Sequence, residues 1–125
     1  MKQSDEPAVF QVPAGISVHL CLAVTDMRKG AYSLVAQIRA DLKTNPLSGE
    51  IFAFFNRNRR QSKLLWFDGD GFALLSKRLE EGTFAVKKDG SGYEHLQGVD
   101  LNRLLGGVPL QRILYQKKVR SRLNK

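Results

Sequence analysis

Between residues 51 and 88 the chain alternates short apolar runs with links that leave room only for tight turns. IFAFFN (51–56), SKLLWFD (62–68) and GFALLSKRL (71–79) read as strands, with FAVKK (84–88) as a fourth candidate. The links NRNRRQ, DGDG and EEG are short, and Gly69, Gly71 and Gly82 admit the positive φ that tight hairpins need. A parallel neighbour requires a crossover of a dozen residues or more, so strands joined this way must be antiparallel. The region is predicted to be an antiparallel meander.

The flanking sequence supplies what a meander needs to cover it. Residues 16–23 (ISVHLCLA) alternate Ile16, Val18, Leu20 and Leu22 with Ser17, His19 and Cys21, which predicts another strand. In TDMRKG (25–30), Thr25 or Asp26 can cap a helix. Leu34, Val35, Ile38 and Leu42 then fall at helical spacing over 31–43. TNPLSG (44–49) and DGSG (89–92) are turns, and GVDLNRLLGG (98–107) predicts a short helix with Asp100 as N-cap. After Pro109, PLQRILYQKK allows one more helix whose last turns carry charge on every side. The expected fold is a single α+β domain: an antiparallel sheet of four or five strands with the 31–43 helix on one face. Residues 1–15 form a loose arm, 16–108 the domain, and 109–125 a basic tail.

The 125 residues suit one domain with a real core. Cys21 is the only cysteine, which excludes a disulfide framework, favours a reducing compartment and reads as a small buried hydrophobe. No apolar run approaches the ~20 residues of a membrane span, and the N-terminal sequence lacks a secretory pattern. A cytoplasmic protein with no membrane partner is expected. The net charge is +8, but residues 1–108 carry 14 basic and 12 acidic side chains. The excess lies in 109–125, with Arg112, Lys117, Lys118, Arg120, Arg122 and Lys125 and no acid. Such a stretch favours polyanions by counterion release.

A second basic cluster, Arg57, Arg59, Arg60 and Lys63, sits at the first hairpin of the meander. Four cations in seven residues repel one another unless a partner neutralises them. Arg28 and Lys29 precede a helix N-terminus, where cations are disfavoured. A bound phosphate or acidic partner would explain them, as would an ion pair with Asp26 or Glu50. Asp68 and Asp70 are the one carboxylate pair spaced to share a hard cation. A two-metal nuclease would need a third acid, from Glu80, Glu81 or Asp26. The hairpin turn itself accounts for both residues, so no metal and no cofactor are expected. His19 has no ligating neighbour at metal spacing, and no serine lies in a GxSxG setting.

Several blocks of this chain, in order, resemble one family. TDMRKG (25–30) and NPLSGEIFAFFNRNRRQSKLLWFDGDGFALLSKRLEEGTF (45–84) resemble the TnpB accessory protein of the insertion-sequence-sixty-six type of bacterial mobile element, and DLNRLLGGV (100–108) is a fainter echo. The resemblance implies a helper in DNA transposition, encoded beside a separate DDE-type transposase. The mechanism expected is non-catalytic binding. Arg28, Lys29, Arg57, Arg59, Arg60, Lys63, Lys117, Lys118, Arg120 and Arg122 would contact DNA at the element ends or the transposase. The alternatives are a pure protein–protein adaptor, using Phe54, Trp66 and Phe72 as an aromatic patch, and a metal-dependent nuclease using Asp68 and Asp70.

Overall fold

A computed structural model describes residues 10–87 and 89–123. Its elements are β1 (Ser17–Val24), α1 (Ala31–Asp41), β2 (Ile51–Phe55), β3 (Gln61–Phe67), β4 (Phe72–Arg78), β5 (Tyr93–Gln97), α2 (Gly98–Leu105) and α3 (Leu110–Leu123). The five strands form one sheet in the order β4-β3-β2-β1-β5. The meander β2-β3-β4 is antiparallel, as the short links require. β5 is also antiparallel to β1.

The α+β class and the number of strands agree with the sequence reading, but β5 stands where no strand was expected and the sheet is mixed. β1 and β2 pair in parallel, Val18 opposite Ile51 and Leu20 opposite Ala53. The 25–50 link contains a whole helix, so it can carry the chain back across the sheet to start a parallel neighbour. β2 is thereby central, covered on both faces, and all five of its residues are buried. That is why IFAFF shows no apolar–polar alternation.

Each face has its own core. Under α1, Leu34, Val35 and Ile38 pack with Cys21, Phe52, Phe54 and Leu65. Burying each of the three helix side chains stabilises by about 2 kcal/mol. On the other face Val18, Leu20, Ile51, Ala53, Phe55 and Leu64 meet Val12, Phe84, Val86, Leu101, Leu104, Leu110 and Ile113. The second face is covered by α2, the start of α3 and two irregular segments. Residues 84–87 do not form a strand. Their main chain turns towards the β2–β3 hairpin, where the Phe84 N–H donates to the Arg59 carbonyl at 2.7 Å. Lys88, the end of the predicted strand, lies outside the described residues. α3 extends through Leu123, anchored by buried Leu110 and Ile113.

Two caps differ from expectation. Asp100 is the third residue of α2 and not its N-cap. β5 runs directly into the helix, Gln97 is the N-cap, and the Asp100 carboxylate accepts the Gln97 N–H at 3.2 Å. α1 starts after Gly30 with no side-chain cap. Thr25 is still tied to the sheet, its N–H donating to Phe55 O at 2.9 Å. Asp26 closes a turn of its own by accepting the Arg28 N–H. No helix among the described residues is long and apolar enough to cross a membrane.

The segment before β1 docks on α2. Asn102 bonds both the N–H and the carbonyl of Val12, at 2.8 and 2.9 Å. Gly98 sits directly under this segment, and a Cβ there would lie 2.6 Å from Pro13 O and 2.7 Å from Val12 Cγ1. Backbone cannot yield cheaply at that distance. Gly98→Ala is therefore expected to lower the unfolding free energy by about 1–3 kcal/mol, read as a reduced urea midpoint with an unchanged m-value. An unaltered midpoint would show that the 12–13 segment is not packed as described.

Candidate nucleic-acid interface

Because β1 and β2 run in parallel, their C-terminal ends lie side by side. The two loops that follow, 25–30 and 56–60, come from distant parts of the sequence yet face each other. Between them opens a cleft of about 620 Å³ lined by Val24, Thr25, Asp26, Met27, Asn56, Arg57 and Asn58.

The four cations of the β2–β3 hairpin do not share one direction. Arg59 points inward and is fully buried. Its backbone has φ +58°, a left-handed conformation that non-glycine residues seldom adopt. The guanidinium donates to Leu22 O at 2.9 Å and Lys87 O at 2.6 Å, with longer bonds of 3.4 Å to Phe55 O and Asn56 O. Burial pushes its pKa down, but from so high a starting value that the charge persists at neutral pH. Lys63 is likewise engaged internally. Its ammonium donates to Met27 O and Lys29 O at 2.6 and 2.8 Å, fastening the 25–30 loop to β3. Arg60 reaches the Glu80 carbonyl at 2.7 Å. Arg57 alone of the four is exposed and makes no hydrogen bond or ion pair with the described residues.

The other predicted cations divide in the same way. Arg28 forms a two-pronged ion pair with Asp26, with its shortest bond 2.7 Å. Lys29 bonds Gln37 at 2.8 Å. On α3, Lys117 donates to His95 O at 2.8 Å and Arg120 lies 3.7 Å from the buried Asp100. Lys118 and Arg122 are exposed, with no partner among the described residues.

Two residues to which the sequence reading gave no structural role shape the hairpin. The Asn56 side-chain oxygen accepts the N–H groups of Arg60 and Gln61, and that of Asn58 accepts the Arg60 N–H. The signal available was the Asn-x-Asn spacing, since asparagine commonly closes turns on its own backbone.

A family model described as IS66 Orf2 like protein matches residues 16–114. The chain belongs to this family. It is therefore an accessory protein of transposition. A protein of Sinorhizobium fredii, y4hO, is 36% identical over 99 residues, covering 78% of this chain and 86% of its own. A second from the same organism, y4jC, is 27% identical over 99 residues, covering 79% and 85%. Both are described as uncharacterized proteins. No solved structure matches.

The family match spans both walls of the cleft. The features behind the two alternative readings take other places. Phe54 is fully buried under α1, Trp66 packs beside Phe10 at 5.7 Å between ring centroids, and Phe72 packs edge-on to Phe67 at 5.3 Å. The three do not compose an exposed patch. Asp68 and Asp70 stand exposed at the tip of the β3–β4 hairpin, which is closed by the Asp68 N–H donating to Gly71 O, with Gly69 at φ +113°. Among the described residues no three His, Cys, Asp or Glu side chains gather as metal ligands.

Arg59→Ala should lower the unfolding free energy by about 3 kcal/mol or more, since each of its two short charged bonds contributes about 1.5 kcal/mol or more. Chemical denaturation measures this, and a loss no larger than that of a surface arginine would refute the role. Asp26 gives a second test. The side-chain bond from Arg28, then the Arg28 backbone N–H, hold its carboxyl down to about 2. A depressed carboxylate stabilises the folded state above its unfolded pKa, and that contribution disappears as pH falls through the folded value. Carboxyl NMR should therefore show Asp26 titrating at about 2, and Arg28→Ala should move it back towards the ordinary carboxylate range.

Proposed function

We propose that the protein assists transposition by binding DNA backbone phosphates, without catalysing a reaction itself, and that α3 is the main contact surface. The carrying observation is the placement of charge. Residues 109–125 hold six basic and no acidic side chains. The first turn of α3 is anchored by Leu110 and Ile113, while Arg112, Lys118, Arg120 and Arg122 remain exposed. A helix fixed at one end and cationic on its outer surface can lie along a phosphate backbone, and such contacts position a protein without reading sequence. Arg59 and Lys63 have no part in this surface. Their role is to hold the two loops at the ends of β1 and β2.

A second reading makes the DDE-type transposase of the same element the partner. Tyr115 and Leu123 favour it, being 69% and 77% exposed among the cations of α3. Aromatic and arginine side chains are the common anchors of protein interfaces.

Four phosphate contacts predict a slope of log K against log salt of about −3 to −4 on element-end duplex. Replacing Lys118 and Arg122 together by Gln should reduce the slope by about 2, measured by fluorescence anisotropy across a salt series. A salt-independent affinity would rule out the phosphate reading. Capture of the transposase that persists at high salt would favour the second.

A further inference from the structure

We propose that the cleft between the 25–30 and 56–60 loops is a phosphate-binding site, separate from α3 and able to stand or fall without the reading above. The argument rests on which atoms the cleft leaves free. Backbone N–H groups only donate, so the bonds from Arg60 and Gln61 fix the Asn56 and Asn58 amides with their oxygens turned to the main chain. Each amide therefore keeps its NH₂ group, a pure donor, unengaged by the hairpin. Between them lies Arg57, exposed and unpaired with the described residues, adding a guanidinium fork. Thr25, 3% exposed, also lines the cleft; its hydroxyl oxygen is buried and has no partner among the described residues. The acid on the rim, Asp26, is occupied by both prongs of Arg28. With Asp26, Arg28 and Arg57 counted together, the rim carries a net positive charge.

The polar groups left unengaged on the cleft's surface are amide donors and one cation, and these select a ligand that is all acceptors and negatively charged. A phosphate group fits, and a guanidinium flanked by amides is well suited to its oxygens. The group can come from a nucleic-acid backbone or from a free phosphate or nucleotide.

The test is an NMR titration of the full chain with inorganic phosphate and, separately, with a short DNA duplex. The side-chain amides of Asn56 and Asn58 and the Arg57 Nε–H are the reporters. Asn58→Asp keeps the oxygen that accepts the Arg60 N–H but replaces the donor group by an acceptor. Arg39→Gln, on the exposed side of α1, makes the same change of net charge elsewhere. We expect both ligands to shift the cleft signals, and Asn58→Asp to weaken phosphate binding about tenfold, equivalent to about 1.4 kcal/mol. Arg39→Gln should weaken it less than about twofold. Arg57→Gln, with its thermal midpoint checked against the parent, serves if Asn58→Asp disturbs the hairpin. Shifts with inorganic phosphate but not duplex would uphold the site and assign it to a free phosphate. Equal losses in Asn58→Asp and Arg39→Gln would overturn it, as would no cleft shift with either ligand. Duplex-induced shifts confined to α3, with no cleft shift on adding inorganic phosphate, would overturn it while leaving the proposed function standing.

Discussion

The Arg59 guanidinium sits where β1, the end of β2 and the 84–87 segment converge, and it donates to carbonyls from all three. A buried cation is unfavourable unless its hydrogen-bonding positions are met. Here main-chain carbonyls meet most of them in place of a carboxylate. The bonds are local at one end and long-range at the other, so the hairpin's conformation and the position of the 84–87 segment are set by the same side chain. The left-handed backbone at Arg59 is the strained feature that lets its side chain reach inward. Lys63 repeats the device one strand further on by holding the carbonyls of Met27 and Lys29. Two of the four clustered cations thus act as internal fasteners, and the surface charge of the hairpin is smaller than its composition suggests.

Much of the scaffold was legible in the residues. The spacing of Leu34, Val35 and Ile38 specified α1, and the short links after Phe55 and Phe67 fixed the antiparallel meander. What escaped was non-local. The link from β1 to β2 is long enough to permit either strand direction, and nothing within β1 states which. β5 offers only Leu96 as an aliphatic residue in Tyr93–Gln97, too little to register as an alternation. An arginine-rich turn shows three guanidinium groups but not which one turns inward. That choice is made by carbonyls at Leu22 and Lys87, far away in sequence.

The same limit applies to the candidate site. Composition identified the polyanion-favouring stretch at 109–125, because an absence of acids needs no structure to be seen. It could not identify the cleft, which exists only because β1 and β2 end together. Nor could it show that Asn56 and Asn58 serve the main chain with one atom and leave the other free. Membership of the IS66 Orf2 like family gives the biological setting, and these placements give it candidate atoms.

The strand order also governs how the chain can assemble. β2 and β3 are joined by a few residues, whereas Cys21 finds Tyr93 across most of the domain. Closing the larger loop costs about 2 kcal/mol more in chain entropy than closing the hairpin. β1 leaves the ribosome first, yet both of its neighbours are made later. Until residue 97 has emerged, a strand carrying Val18, Leu20 and Cys21 has one edge without its partner. An unpaired edge of that kind is a template for wrong pairing, and among the described strands it is this edge of β1 that waits longest for its partner to be made.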